Sequence, residues 1–482
     1  MRLTRTAVSA ALLAVPAIAA AAENDDLRAL REEVARMREG YEKRIDALEK
    51  RLAQAETQAG KAEAKAAEAS VQAREAAAAR PPATANSFNP EIALILNGTY
   101  TKQSQDPASY NETPNPRSYH IHGFVPSLGE TAPPRKGFGL GESELTLSAN
   151  VDPHWRAQLT AALAPEGGAE VEEAFIQSLG FDNGFTLKAG RFLSGVGYLN
   201  PRHAHTWDFA DAPLAYKAFF ANQLRSDGVQ LKWVAPTDLF VELGGEAASG
   251  GAFPSTDKNR SGTTLGTLFA RVGGDIGISQ NWRAGLSALA TDPRDRTWND
   301  VDSTDTTVEN RFSGKSRMSI ADFVWKWAPA GNAKERSLTV QGEVFRRHET
   351  GSMTYDAAAA SVGTQTGDYA SNQSGGYAQT VYQFQPRWRV GYRYDRLDSG
   401  TTRLGLVDSG ALTAADFPLL SAHRPTRHTV MMDYATSEFA RFRVQFARDK
   451  SRFDFGQGRA LPDNQLWLQY VVSLGAHGAH KY

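Results

Sequence analysis

The sequence predicts an all-β transmembrane barrel of about sixteen antiparallel strands, preceded by an α-helical coiled coil. Three observations carry that reading. Hydrophobic periodicity changes after Phe88 from roughly one in 3.6 to one in two, and stays there to the C-terminus. Short polar turns alternate with long Gly/Ser/Asp-rich connections. Aromatic residues gather beside the short turns. Composition agrees, since 42 Gly, 23 Phe, 15 Tyr and 9 Trp among 482 residues lean towards β-structure. The 53 Lys+Arg against 54 Asp+Glu leave a net charge of −1, so no basic excess points to nucleic acid. With Cys 0, disulfide frameworks, thiolate zinc sites, iron–sulfur clusters and cysteine nucleophiles are excluded.

Residues 1–22 read as a secretory signal peptide. Arg2 and Arg5 precede an apolar run from Ala7 to Ala20, and small residues from Ala19 to Ala22 offer cleavage sites before Glu23. A membrane anchor needs roughly 20 apolar residues, more than this run supplies. Residues 23–80 carry a heptad seam at Leu27, Leu30, Val34, Met37, Tyr41, Ile45, Leu48 and Leu52, continued by alanines to Ala69. Consecutive spacings of four around Tyr41, next to Gly40, form a stutter. A lone amphipathic helix would look similar, but a seam with nothing else to pack against favours self-association. Pro81 and Pro82 end the helix, and 81–90 is a linker.

From 91 to 482 the chain alternates. Trp388, Val390, Tyr392 and Tyr394 share one face against Arg389, Gly391 and Arg393, and Phe442, Val444 and Phe446 oppose Arg441, Arg443 and Gln445. A soluble sandwich also alternates, so the connections decide. Short turns fall at 151–153, 182–184, 235–238, 279–281, 329–332, 385–387 and 436–438. Trp155, Trp233, Trp282, Trp325, Trp327 and Trp388 lie close to them, as an aromatic belt requires. A first strand near 92–100, seven hairpins and a last strand at 465–474 give an even count of about sixteen, wide enough for an aqueous channel. The long loops are then 102–137, 164–168, 191–226, 247–262, 291–316, 349–374, 398–426 and 450–463.

With the signal peptide, the strand FTLKAGRF (185–192) before a long third loop, and a terminal aromatic at Tyr482, the chain resembles the bacterial outer-membrane porins. Its N-terminal seam is similar to that of the sucrose-type porins. Segments such as GESELTLSANVDPHW (141–155) and GYLNPRHAHTWDFAD (197–211) resemble proteobacterial proteins often labelled zinc-regulated or TonB-dependent outer-membrane receptors. The chain departs from true TonB-dependent receptors in lacking a globular plug and the length for a barrel of about 22 strands. The porin resemblance implies passive diffusion of small hydrophilic solutes, a homotrimer in outer-membrane lipid, insertion by the barrel-assembly machinery through the C-terminal strand, a periplasmic coiled coil that reaches peptidoglycan or only holds the trimer, and a third loop folded into the barrel.

Arg156, Lys188, Arg191, Lys232, Arg389, Arg393, Arg441 and Arg443 are the pore-lining candidates. Glu142, Glu144, Glu172, Glu242, Glu343 and Asp395 compete for the same lumen, so weak selectivity is expected, with a non-discriminating polar wall as the alternative. His203, His205, Asp208 and Asp211 form a candidate transition-metal cluster, because imidazole and carboxylate suit Zn²⁺ as a transported ion; two histidines that only hydrogen-bond within the loop are the plainer reading. His477 with His480, and His120 with His122, are weaker pairs. No resident cofactor is expected, and GFGLGE (137–142) leads into a strand rather than a phosphate-binding helix. No local hydrolase constellation appears, so no enzymatic activity is expected.

Overall fold

The computed structural model describes residues 90–105, 121–124, 136–163, 168–251, 253–256, 262–454 and 458–475, together with Arg36, Glu39, Gly40, Lys43 and Lys50. The chain divides into two units, 1–87 and 88–482. In the first unit the five described residues are helical, and Lys43 pairs with Glu39 one turn away at 2.7 Å. The signal peptide, the remainder of the coiled coil, linker residues 81–89, His120, His477, His480 and Tyr482 lie outside the described residues.

The second unit is a closed antiparallel barrel. Its strands are β1 (Glu91–Gln103), β2 (Ser143–Asn150), β3 (Trp155–Leu163), β4 (Ala169–Ser178), β5 (Phe185–Leu193), β6 (Arg225–Val234), β7 (Phe240–Ala248) and β8 (Leu265–Ile276). They continue as β9 (Gln280–Thr291), β10 (Thr307–Trp327), β11 (Ser337–Tyr355), β12 (Gln365–Gln385), β13 (Trp388–Asp398), β14 (Thr426–Ser437), β15 (Ala440–Asp454) and β16 (Arg459–Gly475). Each pairs with its neighbour in sequence, and β1 closes the ring on β16, from Ala93 opposite Gly475 to Gln103 opposite Gln465. Closure leaves no free sheet edge. Among the described residues, no helix is long and apolar enough to cross a membrane, a fact that leaves crossing by strands open.

The faces are the reverse of a soluble protein's. On β13 and β15, Val390, Tyr392, Phe442, Val444 and Phe446 are exposed outward, while Arg393, Arg443 and Gln445 are buried inside. The seven short connections join strands at the expected turns, the one expected at 279–281 falling at 277–279. Around them aromatic rings meet: Trp388 on Tyr434 at 4.6 Å, Phe442 on Tyr470 at 4.1 Å, and Trp155 edge-on to Phe181 at 6.2 Å. The indole N–H of Trp233 donates to the Asn183 carbonyl at 3.0 Å, giving the polar edge of that ring a partner.

Several expected long loops are shorter than their sequence limits. β11 and β12 run to Tyr355 and from Gln365, so the expected loop 349–374 shrinks to 356–364. The expected loop 291–316 contains a strand, Arg296–Val301, that pairs with the start of β10. These extensions carry polar residues on both faces, so a search for apolar alternation passes over them. Above the aromatic belt they enclose a separate apolar cluster that includes Trp298, Phe312, Tyr355, Tyr369 and Phe417. We call this upper structure the crown.

Candidate functional site inside the barrel

Between β5 and β6 the chain turns inward, and residues 194–224 are largely buried against inward-facing side chains from around the ring. The base of this third loop is tied by Asn200, whose Nδ2 donates to the carbonyls of Ser194 and Leu224, each at 2.8 Å, while its Oδ1 accepts from the Leu224 N–H at 2.7 Å. Glu343 of β11 accepts from the backbone N–H groups of Tyr198 and Leu199 at 2.9 and 3.1 Å, and from the hydroxyls of Tyr216 and Tyr377. Gly197 between these contacts has φ of 67°, and a Cβ there would stand 2.4 Å from the Glu343 carboxylate, so both backbone and space require glycine.

A helix, α1 (Leu214–Phe220), follows Pro213 and is closed by Ala221 in the left-handed region, φ 50°. Its Phe219 and Phe220 pack on Phe345, with ring centroids 5.7 and 5.9 Å apart. Inward-facing Leu289, Met318, Ile320 and Leu397 join the same cluster. Each fully buried Phe contributes about 1.5–3 kcal/mol. Part of the interior is therefore an apolar core, where barrel width alone predicts an aqueous channel.

The third loop divides the remaining interior into a basic and an acidic side. On the basic side, Asp211 receives hydrogen bonds from Arg393 at 3.2 Å, Lys217 at 2.9 Å and Gln445 at 3.1 Å, and a further one from Arg427. Burial pushes the Asp211 carboxyl up, but Arg427, Lys217 and Arg393 outweigh it and hold the group well below the usual carboxylate range. Asp208 accepts from Arg389 at 2.9 Å. Arg441 and Arg443 donate to the loop carbonyls of His205 and Trp207, both at 2.9 Å, and Arg389 and Arg443 share Asp433.

On the acidic side, Glu144 of β2 and Glu172 and Glu173 of β4 surround His203. Its Nδ1 lies 3.1 Å from Glu144 Oε2 and 3.2 Å from Glu172 Oε2, and its Nε2 lies 3.0 Å from Glu173 Oε2. His205 Nδ1 lies 2.7 Å from Glu144 Oε1. Two successive glutamates point inward because β4 carries a bulge: Glu173 pairs with Thr160 and Val171 with Ala161, leaving Glu172 as the extra residue. Burial works against the imidazolium of His203, yet the three carboxylates hold its pKa well above the ordinary value.

These placements sort the sequence candidates. Arg389, Arg393, Arg441 and Arg443 all face inward and touch the third loop. Lys188 also faces inward, its ammonium 4.1 Å from the Phe175 ring centroid, and Lys232 lies 3.5 Å from Glu242. Arg156 bonds Glu91 at 2.7 Å beside the short-turn end. Arg191 is a correction: three residues beyond Lys188 on one strand, it must take the opposite face, and it bonds Asp227 at 2.6 Å on the barrel exterior. The metal cluster needs correction too. His203 and His205 come together, but Asp208 and Asp211 are held by arginines on the other side, and the carboxylates beside the histidines come from the wall. His122 is buried, stacked on Phe453 at 4.1 Å and 2.8 Å from the Ser421 hydroxyl. Arg427, Gln445 and Asp433, which are not among the sequence candidates, also face inward, and the inward parity of Thr429 and Met431 in β14 marks Arg427 and Asp433.

A cavity of about 740 Å³ lies between the third loop and the short-turn end, lined in part by Tyr198, Arg202, Asp208, Lys326, Arg389 and Arg441. The guanidinium groups of Arg202 and Arg283 sit 4.3 and 4.4 Å from the Tyr198 ring centroid.

No family model matches the chain. An uncharacterized protein of Aquifex aeolicus is 28% identical over 415 residues, covering 83% of this chain and 81% of that one. Among solved structures, the trimer form of OmpT, an outer membrane protein of Vibrio cholerae, covers 80% of this chain and 99% of its own at 10% identity and a TM-score of 0.46. An anion-selective porin from Comamonas acidovorans covers 80% and 99% at 11% identity and a TM-score of 0.45. The outer membrane channel DcaP of Acinetobacter baumannii covers 80% and 97% at 12% identity and a TM-score of 0.45. Likeness at this level identifies neither solute nor assembly.

Proposed function

We propose that this protein is a channel of a Gram-negative outer membrane through which small hydrophilic solutes diffuse down their gradients, the third loop narrowing the passage. The observation that carries this reading is the inverted barrel: closed, apolar outside, charged inside. Such a surface is stable with lipid around it and water within. The short-turn end then faces the periplasm, and the cavity below the third loop is the inner vestibule. Charges of both signs support weak selectivity, with Lys188, Lys232, Arg156 and the four loop-contacting arginines supplying the basic part. No catalytic step is proposed. The heptad seam supports self-association as a homotrimer, with β16 presented to the barrel-assembly machinery during insertion; contact of the coiled coil with peptidoglycan belongs to the same reading.

Planar-bilayer recording of the refolded mature protein tests it. Ion-conducting steps, grouped in threes for a trimer, are the expected result. Silence from a protein whose folded insertion is established by heat-modifiable electrophoretic mobility would overturn the open channel.

A further inference from the structure

We propose that His203, Glu144 and Glu172 form a binding site for a divalent transition-metal cation that fastens the third loop to the barrel wall. The site does not depend on conduction, so it stands or falls separately from the channel reading.

One ligand atom from each of His203, Glu144 and Glu172 lies within 4.8 Å of the others, and His203 Nδ1 faces both Glu144 Oε2 and Glu172 Oε2. The two nitrogen–oxygen separations, 3.1 and 3.2 Å, come close to the edge of a tetrahedron built on Zn–N and Zn–O bonds of roughly 2.0–2.1 Å, which is about 3.3 Å. The surroundings match what a histidine–carboxylate metal site requires. Glu173 lies 3.0 Å from His203 Nε2, positioned to accept its N–H and leave Nδ1 for the ion. The other oxygen of Glu173 is fixed by the Leu193 N–H at 3.0 Å. His205 engages the second oxygen of Glu144 at 2.7 Å.

Proton counting gives an independent reason. Nδ1 carries at most one hydrogen, yet two carboxylate oxygens face it, so Glu144 and Glu172 cannot both be satisfied by that atom. Glu144 also has His205, whereas Glu172, only 4% exposed, has no other hydrogen-bond partner among the described residues. A buried carboxylate that must share its single donor with a second carboxylate is poorly compensated, and a cation between the three ligand atoms removes that cost. Mixed imidazole and carboxylate donors suit Zn²⁺ or Co²⁺ better than Ca²⁺, which takes oxygen ligands. The β4 bulge turns Glu172 inward, and without it the set would lack its third ligand.

The test uses the full-length folded protein in detergent, stripped with a chelator. Zn²⁺ titrated by calorimetry is expected to bind once per chain, and Co²⁺ to give the visible bands of low-coordinate geometry, bleached by Zn²⁺. Glu172→Gln is expected to lose about tenfold or more in affinity, and Glu172→Gln with His203→Gln to abolish the bands while the barrel keeps its heat-modifiable mobility. Absence of stoichiometric binding to the wild type overturns the site. Undiminished binding in the folded double variant does so equally, placing the metal elsewhere. If the double variant does not fold, Co²⁺ spectra of the wild type decide, since an octahedral aquo-like spectrum rules out the inner-shell imidazole site.

Discussion

The two sides on which the third loop docks use opposite chemistry. Towards β13–β15 the loop presents carboxylates, Asp208 and Asp211, to arginines; towards β2 and β4 it presents imidazoles, His203 and His205, to glutamates. The charge on each wall is matched by the stretch of loop that reaches it, so a shift of the loop sets like charges together. The two contacts differ in firmness. Arginine stays charged at any relevant pH and its planar fork fixes direction, whereas histidine can lose its charge and lean on a hydrogen bond or an ion instead. The basic side therefore acts as the permanent anchor and the acidic side as the adjustable one.

Breaking the anchor gives the largest effect. Asp211→Ala leaves Arg393, Arg427 and Lys217 buried without their shared carboxylate, and a loss of about 3–5 kcal/mol is expected, read as a lower thermal midpoint. The freed loop raises unitary conductance in the same protein. Acidification sharpens the contrast: the Asp211 pKa is depressed on folding, so its contribution is present above the ordinary carboxylate pKa and lost only as pH falls through the lower folded value. Conductance that opens between pH 5 and 4, an interval of ordinary carboxylate titration, would contradict that assignment.

Smaller effects are expected elsewhere. Glu173→Gln keeps one acceptor oxygen, enough for the Leu193 N–H or for His203 but not for both, so about 1–3 kcal/mol should be lost in metal-free protein. Asp208→Asn, at a pair about a quarter exposed, should cost about 0.5–1 kcal/mol, and a double-mutant cycle with Arg389→Ala isolates the term. Arg191→Ala should leave conductance and reversal potential unchanged, while Lys188→Ala shifts the reversal potential. A shift from Arg191→Ala would return that residue to the lumen.

Much of the barrel is legible in the chain. The alternation through Trp388–Tyr394 and Phe442–Phe446 assigns both faces, because a strand has only two and the apolar one is unambiguous. What escapes is whatever breaks the period or spans distance. The Glu172 bulge is invisible to alternation, since one inserted residue looks like a wobble in the pattern. Parity, applied strictly, would have put Arg191 outside. His203 and His205 stand out as a pair, but their partners lie about 30 to 60 residues upstream, a distance that neither motif nor spacing bridges. Asp208 and Asp211 lie close to them in sequence, yet the loop turns each towards the other wall.

The strands of the barrel are unequal: β3 to β7 run 9 or 10 residues, and β10 to β12 run 19 to 21. A bilayer covers only about 9–11 residues of a tilted strand. On the proposed channel reading one continuous hydrogen-bonded ladder passes through two solvents, and its amides should exchange with deuterium on two clocks. Those in the wall between the short turns and the crown are sealed until the whole barrel opens, whereas those within the crown answer to the crown alone. A local opening of the crown would change what meets the outside world without touching the wall beneath it.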